Sequence, residues 1–228
     1  MKNIVIIPAR GGSKRLPNKN ILYLDGIPLI AHSILYAQQN SVFIDEIYVS
    51  TDDAVIKKVA QDYGVKVIDR PTNLSGDFEP TVSALKQVLE SIETQVENVI
   101  LLQPTNPLRP KNLLQDAFET YKKGNYDSLF TVSRNHQKLG KIVEHKFLPF
   151  NYTIEQRSQD LEPLFYENGL LYITKASLIL PLDRTLTESK IISEKSFPFE
   201  VNDVFTTVDI DTQDDLDYAE YLIQKFKD

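Results

Sequence analysis

Cysteine is absent from the 228 residues, which removes disulfides, thiolate zinc sites and cysteine nucleophiles from consideration. Only three histidines occur, His32, His136 and His145, and they are too scattered to argue a Ser-His-Asp constellation. No apolar run approaches membrane-spanning length, and the chain runs into its first apolar stretch with no signal peptide before it. The expectation is a cytoplasmic enzyme with no membrane partner. Two common phosphate-loop patterns are also missing, since neither G-x-x-x-x-G-K-[ST] nor G-x-G-x-x-G is found. Internal repeats, low-complexity tracts and interdomain linkers are lacking as well.

What is present is ordinary in bulk and uneven in detail. A hydrophobic content of 42% with 25% charged residues suits a globular chain, and 228 residues fit one α/β domain, residues 1–228, with room for a small appendage. The net charge is −7, yet the first loop is strongly basic. That local inversion points to a focused anion site, not to the broad basic face that nucleic acid requires, so no nucleic-acid partner is expected.

The chain is organised around residues 4–20, IVIIPARGGSKRLPNKN. Four aliphatic residues in a row, Ile4 to Ile7, suit a strand buried on both faces, and Pro8 ends it because it cannot donate to a sheet ladder. A loop with Gly11, Gly12, Ser13 and four cations (Arg10, Lys14, Arg15 and Lys19) follows, without one acid. Glycines let a backbone approach a ligand, and backbone amides beside Lys and Arg attract polyanions. Open α/β sheets bind ligands at the carboxyl ends of their strands, so the loop reads as a triphosphate site.

Helical spacing predicts helices over 28–39, 54–63, 81–93, 113–123 and 212–226; apolar runs predict strands over 44–50, 65–68, 98–102, 128–132 and 170–174. The alternation of strand and helix is that of a mostly parallel, doubly wound, three-layer α/β sheet. Residues 69–80 form a long loop rich in turn formers, of the kind that is often functional. Between residues 133 and 163 the periodicity weakens, and aromatics accompany the polar run Glu155 to Asp160. This stretch reads as an excursion from the sheet, a hairpin or arm that either meets a partner subunit or packs back on the domain.

Asp209 and Asp211 lie two apart on a predicted strand, so both carboxylates face one way and make a seat for Mg²⁺ (or Mn²⁺) beside phosphate oxygens. Asp214, Asp215 and Asp217 fall in the first turn of the last helix, where the dipole favours acids, and read as structural. Lys19 is suited to offset charge developing on a transferring phosphoryl group, and Asn20 offers both donor and acceptor. Gln103 and Thr105 stand at a strand end suited to reading a base or ribose edge. Arg70 opens the long loop, where it meets either a base or a phosphate, and His32 reads as structural.

These residues carry a resemblance. Pro8 to Lys14 with Leu16-Pro17 and Lys19-Asn20 resembles the signature of the CMP-sialic acid synthetases, the acylneuraminate cytidylyltransferases. Further matches follow in the same order: Val49 to Asp53, Arg70-Pro71, Leu101 to Thr105, Tyr166 to Gly169 with Tyr172, and Asp209 to Thr212. The resemblance implies a nucleotide-diphospho-sugar transferase fold and the transfer of CMP from CTP to the anomeric hydroxyl of a nonulosonic (sialic-type) acid. It gives Arg10, Gly11, Gly12, Ser13, Lys14 and Lys19 to the triphosphate, with Lys19 and Arg10 catalytic. It gives Asn20, Arg70, Thr81 and Gln103 to the cytidine, and Asp209 and Asp211 to the metal, with Asp211 also activating the sugar hydroxyl. The sugar would meet Gln103, Thr105, Gln156, Arg157, Gln159, Asp160, Tyr166, Glu167 and Asn168. Arg157 is the residue expected to hold the sugar carboxylate in a bidentate contact. A homodimer joined through the arm at 133–163 is implied too. Legionaminic and pseudaminic acids are alternatives to N-acetylneuraminic acid, and octulosonic acid is a more distant one.

Overall fold

The computed structural model describes residues 1–182 and 188–226. In chain order, β1 (Lys2–Pro8) leads through the basic loop to a small ladder of β2 (Tyr23–Leu24) and β3 (Ile27–Pro28), then to α1 (Leu29–Gln39). β4 (Glu46–Thr51), α2 (Ala54–Asp62), β5 (Lys66–Asp69), α3 (Thr81–Ser91), β6 (Val96–Leu101) and α4 (Leu113–Gly124) follow. The second part consists of β7 (Ser128–Asn135), the pair β8 (Gly140–Val143) and β9 (Lys146–Pro149), β10 (Leu164–Lys175), α5 (Ala176–Ile179), β11 (Ser196–Glu200) and α6 (Gln213–Phe226).

Strand β1 is central because its four aliphatics need cover on both faces, and all four are fully buried. Val5 and Ile7 join residues of α1, α2 and α4 in one cluster. Ile4 and Ile6 join Leu85 and Val88 of α3 and Ile179 of α5 in another. At about 2 kcal/mol for each fully buried aliphatic, this strand outweighs any single surface ion pair in fixing the fold. A third cluster, at one end of the sheet, packs Leu24 and Leu29 against Val208, Ile210 and Leu216. Local signals set the helix ends: Asp53 caps α2 by accepting from Val55 and Ile56, and Gly64 leaves it with φ of 75°.

The seven strands run in the order β11-β7-β10-β6-β1-β4-β5. β1 is parallel to β4 and β6, β4 to β5, and β11 to β7, whereas β10 is antiparallel to both of its neighbours. The expected mostly parallel α/β sheet is therefore present, with one reversed strand. Pro8 occupies the last position of β1, opposite Ser50, so the strand includes the residue that ends it.

Strand β10 carries a bulge. Glu167 pairs with Val132 and Tyr172 with Phe130, so residues 168–171 face Thr131 alone. The Thr131 hydroxyl accepts from the Leu171 amide at 3.1 Å, and Gly169 takes a φ of 75°. The bulge lies beyond the carboxyl end of β6, because Tyr172 pairs with Leu101 there.

One expected strand is absent. Residues 206–211 form no ladder: Asp203 caps a 3-10 turn over Val204–Thr207, and the Ile210 amide donates to the Thr105 carbonyl at 2.8 Å. The donors go to a turn and a loop carbonyl, so no strand partner is left to recruit. Val208 and Ile210 are still buried, and Asp209 between them stays open to solvent on one side while neighbouring groups crowd and partly desolvate its carboxyl. The irregular region resolves into an extension of β7 to Asn135 and the separate β8–β9 hairpin, on which Ile142, Val143, Phe147 and Leu148 are exposed.

The bulge yields a test of this seam. A Cβ on Gly169 would come 2.6 Å from Asn106 Oδ1 on top of the left-handed φ. Gly169→Ala is expected to destabilise the protein by about 1–3 kcal/mol, read as a lower urea midpoint at unchanged slope.

Candidate active site

The basic loop closes on itself before it meets anything else. Asn18 turns left-handed at φ 57°, a 3-10 turn runs over Lys19–Ile21, and the buried Asn20 side chain donates to the Arg10 carbonyl at 2.9 Å. Gly11 is required by proximity: a Cβ would lie 2.8 Å from the Asp53 side chain. Its amide donates to Asp52 Oδ1 at 3.0 Å. These contacts hold Arg10, Ser13 and Lys19 at the carboxyl end of β1, toward a cleft of about 260 Å³.

The opposite wall comes from Arg70, the turn at Gly76–Asp77, the start of α3 at Thr81 and Ala84, and the strand-end residues Gln103 and Thr105. Arg70 is buried, donating to Ser50 Oγ at 3.0 Å and to the Ser50 carbonyl at 2.8 Å, and burial pushes its pKa down. A second cleft of about 460 Å³ is lined by Gln103, Asn106, Tyr166, Glu167, Asn168, Tyr172 and Asp209. Gln103 borders both clefts. The sequence reading had given it to both substrates.

Carboxylates from remote parts of the chain answer the loop's cations. Lys19 Nζ lies 2.7 Å from Asp211 Oδ1, and Arg15 Nη1 lies 2.9 Å from Asp211 Oδ2. Arg10 Nη2 lies 2.9 Å from Asp77 Oδ1, and Lys14 pairs with the other oxygen of the same carboxylate. The Lys14 ammonium, more than Arg10, holds the Asp77 carboxyl below its ordinary range. Burial pushes the Asp209 carboxyl up, and Asp211 and Asp215 add to this against the opposing effects of Thr105 and Lys19. Tyr172, buried behind Glu167, donates to its carboxylate at 3.2 Å, and burial followed by that acid raises its pKa.

Of the anticipated residues, Arg10, Ser13, Lys19, Asn20, Arg70, Thr81, Gln103 and Thr105 meet around the first cleft, and Gln103, Tyr166, Glu167, Asn168 and Asp209 around the second. Lys14 and Asp211 join through their ion pairs, and Gly11 and Gly12 shape the loop. The run Gln156, Arg157, Gln159 and Asp160 is outside both clefts of its own chain. Its groups are spent locally: Arg157 forms its bidentate contact with Asp160, at 2.7 and 3.0 Å, and Gln156 donates to the Asp160 carbonyl. The backbone folds there as a 3-10 turn over Ser158–Asp160, which brings Arg157 and Asp160 together.

Three positions that shape the clefts escaped the sequence reading. Asp77 was one acid in a loop of turn formers. Asn106 and Arg109 follow Gln103 in a run with no periodicity. Asn106 Nδ2 bridges the carbonyls of Asn168 and Val208, each at 3.1 Å. Arg109 donates to the carbonyls of Gln103 (2.7 Å) and Leu170 (2.6 Å) and to Ser33 Oγ (3.0 Å). The available signal was an arginine six residues beyond Gln103, in a proline-rich run at the carboxyl end of a buried strand.

A cationic loop after a first parallel strand, opening on two adjoining clefts that share a glutamine, is what a nucleotidyltransferase needs in order to hold two substrates at once. Residues 4–226 match the family model described as cytidylyltransferase, and the chain belongs to that family. It is 33% identical over 225 residues to an N-acylneuraminate cytidylyltransferase of Streptococcus agalactiae serotype III, covering 94% of this chain and 52% of that protein. It thus spans about half the length of that curated relative. A pseudaminic acid cytidylyltransferase of Campylobacter jejuni is 34% identical over 240 residues, with 97% and 96% covered. Among solved structures, a CMP:2-keto-3-deoxy-manno-octonic acid synthetase complexed with CTP shares the fold at a TM-score of 0.73 and 20% identity, each chain covered to 99%. No helix among the described residues is long and apolar enough to cross a membrane.

The raised pKa of Asp209 carries a prediction for stability. A folded state that favours the neutral acid is destabilised when that acid ionises, above the unfolded value of about 3.9, and the penalty vanishes well below it. Asp209→Asn is therefore expected to raise the melting temperature of the ligand-free protein near pH 7, with no gain near pH 3.

Proposed function

We propose that this chain transfers CMP from CTP to the anomeric hydroxyl of a nonulosonic acid and releases pyrophosphate. The observation that carries the reading is Gln103, which borders a cation-rich cleft on one side and a polar, aromatic-lined cleft on the other. A transfer between two bound substrates needs that adjacency more than it needs a covalent nucleophile. Arg70, Thr81 and Asn20 line the part of the first cleft assigned to cytidine, Arg10 and Ser13 the part assigned to the triphosphate, and Lys14 reaches that part through its pair with Asp77. Tyr166, Glu167, Asn168 and Thr105 are assigned to the sugar.

The sugar's anomeric oxygen attacks the α-phosphorus as the bond from that phosphorus to the bridging oxygen breaks, and pyrophosphate carries away the electron pair. Lys19, whose side chain is only 12% exposed, is placed to offset charge at the reacting phosphoryl group, with Arg10 beside it. The Asp211 carboxylate takes the proton of the attacking hydroxyl. Asp209 and Asp211 suit Mg²⁺ or Mn²⁺ by their chemistry, two hard carboxylates two residues apart that would leave the remaining positions of the ion to phosphate oxygens. When bound, the ion supplies further neutralisation of phosphate charge.

The sugar is assigned to the sialic or legionaminic type on the Leu-Gln-Pro-Thr stretch, residues 101–105 without its first leucine. Pseudaminic acid is the second reading, since identities of 33% and 34% to enzymes named for different sugars do not separate them. A homodimer fits the exposed apolar hairpin β8–β9, and a cytoplasmic location, where CTP is available, fits the substrates. With a partner present, the Gln156 to Asp160 run is assigned to the sugar across the interface.

Two measurements test this. Pyrophosphate release is assayed with CTP, Mg²⁺ and N-acetylneuraminic, legionaminic, pseudaminic and octulosonic acids in parallel. Turnover with one sialic-type acid is expected, and Lys19→Ala should lower kcat by about 100-fold or more. No turnover with any sugar, while CTP still binds, overturns the reading. Sedimentation velocity is expected to give a dimer, and a monomer after a short glycine turn replaces residues 140–149; a wild-type monomer removes the arm's assigned role.

A further inference from the structure

The Asp77 carboxylate is the anion that Arg10 and Lys14 share. Its two oxygens are divided between them, Oδ1 at 2.9 Å from Arg10 Nη2 and Oδ2 on Lys14 Nζ. The remaining contact of Arg10 to the same loop is with the Ser75 carbonyl, 3.3 Å from Nη1. Residues 71–80 contribute nothing to the three buried apolar clusters, and Phe78 beside Asp77 is fully exposed. Charge, not apolar packing, therefore ties this part of the loop to the cations. Gly76 has room about it, since a Cβ there would meet only the Glu79 side chain, at 3.7 Å.

We propose that Asp77 is a resident competitor for the phosphate end of the cleft, displaced by CTP and returning to Arg10 and Lys14 as pyrophosphate leaves. The inference rests on the cytidylyltransferase reading. A carboxylate and a phosphate cannot share the same two cations at full strength, so Asp77 weakens every polyphosphate by a common factor. CTP has its cytidine contacts with Arg70 and Thr81 to set against that factor, and pyrophosphate has none. The same factor therefore falls on both, but it decides the outcome only for the product, which has no other hold in the cleft. Asp77 is thus a residue that favours product release, lowering the hold on pyrophosphate without altering the ratio of CTP to pyrophosphate affinity.

The test is direct binding of inorganic pyrophosphate and, separately, of cytidine to the full chain with Mg²⁺, by titration calorimetry. Asp77→Asn keeps the shape and removes the charge. It is expected to bind pyrophosphate about fivefold more tightly, as for loss of an exposed ion-pair competitor, with unchanged cytidine affinity. Asp77→Glu, which restores the charge, should return pyrophosphate affinity toward that of the wild type. Unchanged or weaker pyrophosphate binding by Asp77→Asn, with cytidine affinity retained, overturns the proposal. Loss of affinity for both ligands shows a merely structural residue and overturns it as well. Failure of pyrophosphate to bind either protein, with cytidine still bound, overturns the triphosphate reading of the loop and this inference with it.

Discussion

A single buried guanidinium holds the two clefts in register. Among the described residues Arg109 pairs with no carboxylate; it spends its donors on two carbonyls and one hydroxyl, reaching α1 at Ser33, β10 at Leu170 and the cleft wall at Gln103. Burial pushes its pKa down to about 10, so it remains charged at neutral pH. Burying a charge this way is costly unless every donor is met, and here the acceptors come from three separate parts of the chain. The position of Gln103 is thus tied to the point where the reversed strand meets the parallel ones. Asn106 extends the clamp to the segment that carries Asp209, through the Val208 carbonyl.

The reversal of β10 explains why this clamp is needed. A parallel sheet presents one set of carboxyl ends to a ligand, and the crevice beyond them suffices for one substrate. By running the other way, β10 brings the residues near its start, Tyr166 to Gly169, to the same end of the sheet as Gln103. The bulge at 168–171 then turns Asn168 inward, where its amide donates to Ser133 Oγ at 2.9 Å. The second cleft is in this sense a product of strand direction.

Much of the first cleft was legible because its signals are local. Four aliphatics followed by Pro8, then glycines among cations, need only neighbouring residues to be understood; the helices from α1 to α4 carry their own periodicity, and α2 its own cap at Asp53. The direction of β10 was not legible, since a run such as Leu170 to Thr174 is apolar whichever way it points. The stretch 206–211 alternates like a strand, but its amides are taken by a turn and by Thr105, a preference set by tertiary contacts. Reading the loop as a bare cation cluster was incomplete for the same reason. Lys19 and Asp211 are 192 residues apart, and nothing near either one announces the other. Arg157 shows the converse case, a local acid three residues away claiming a group expected to reach further.

That long-range pairing sets an order of events during synthesis. The strands around β1 can assemble once residues up to 101 have left the ribosome, but Asp209 and Asp211 emerge about 110 residues later, roughly 5–20 s at ordinary elongation rates. Through that interval the nascent chain displays Lys19 and Arg15 without the carboxylate that will pair them, beside a sheet already able to bury its centre. The Lys19–Asp211 pair closes only as the segment ahead of α6 docks on Thr105 and Asn106, well after the parallel half of the sheet has formed.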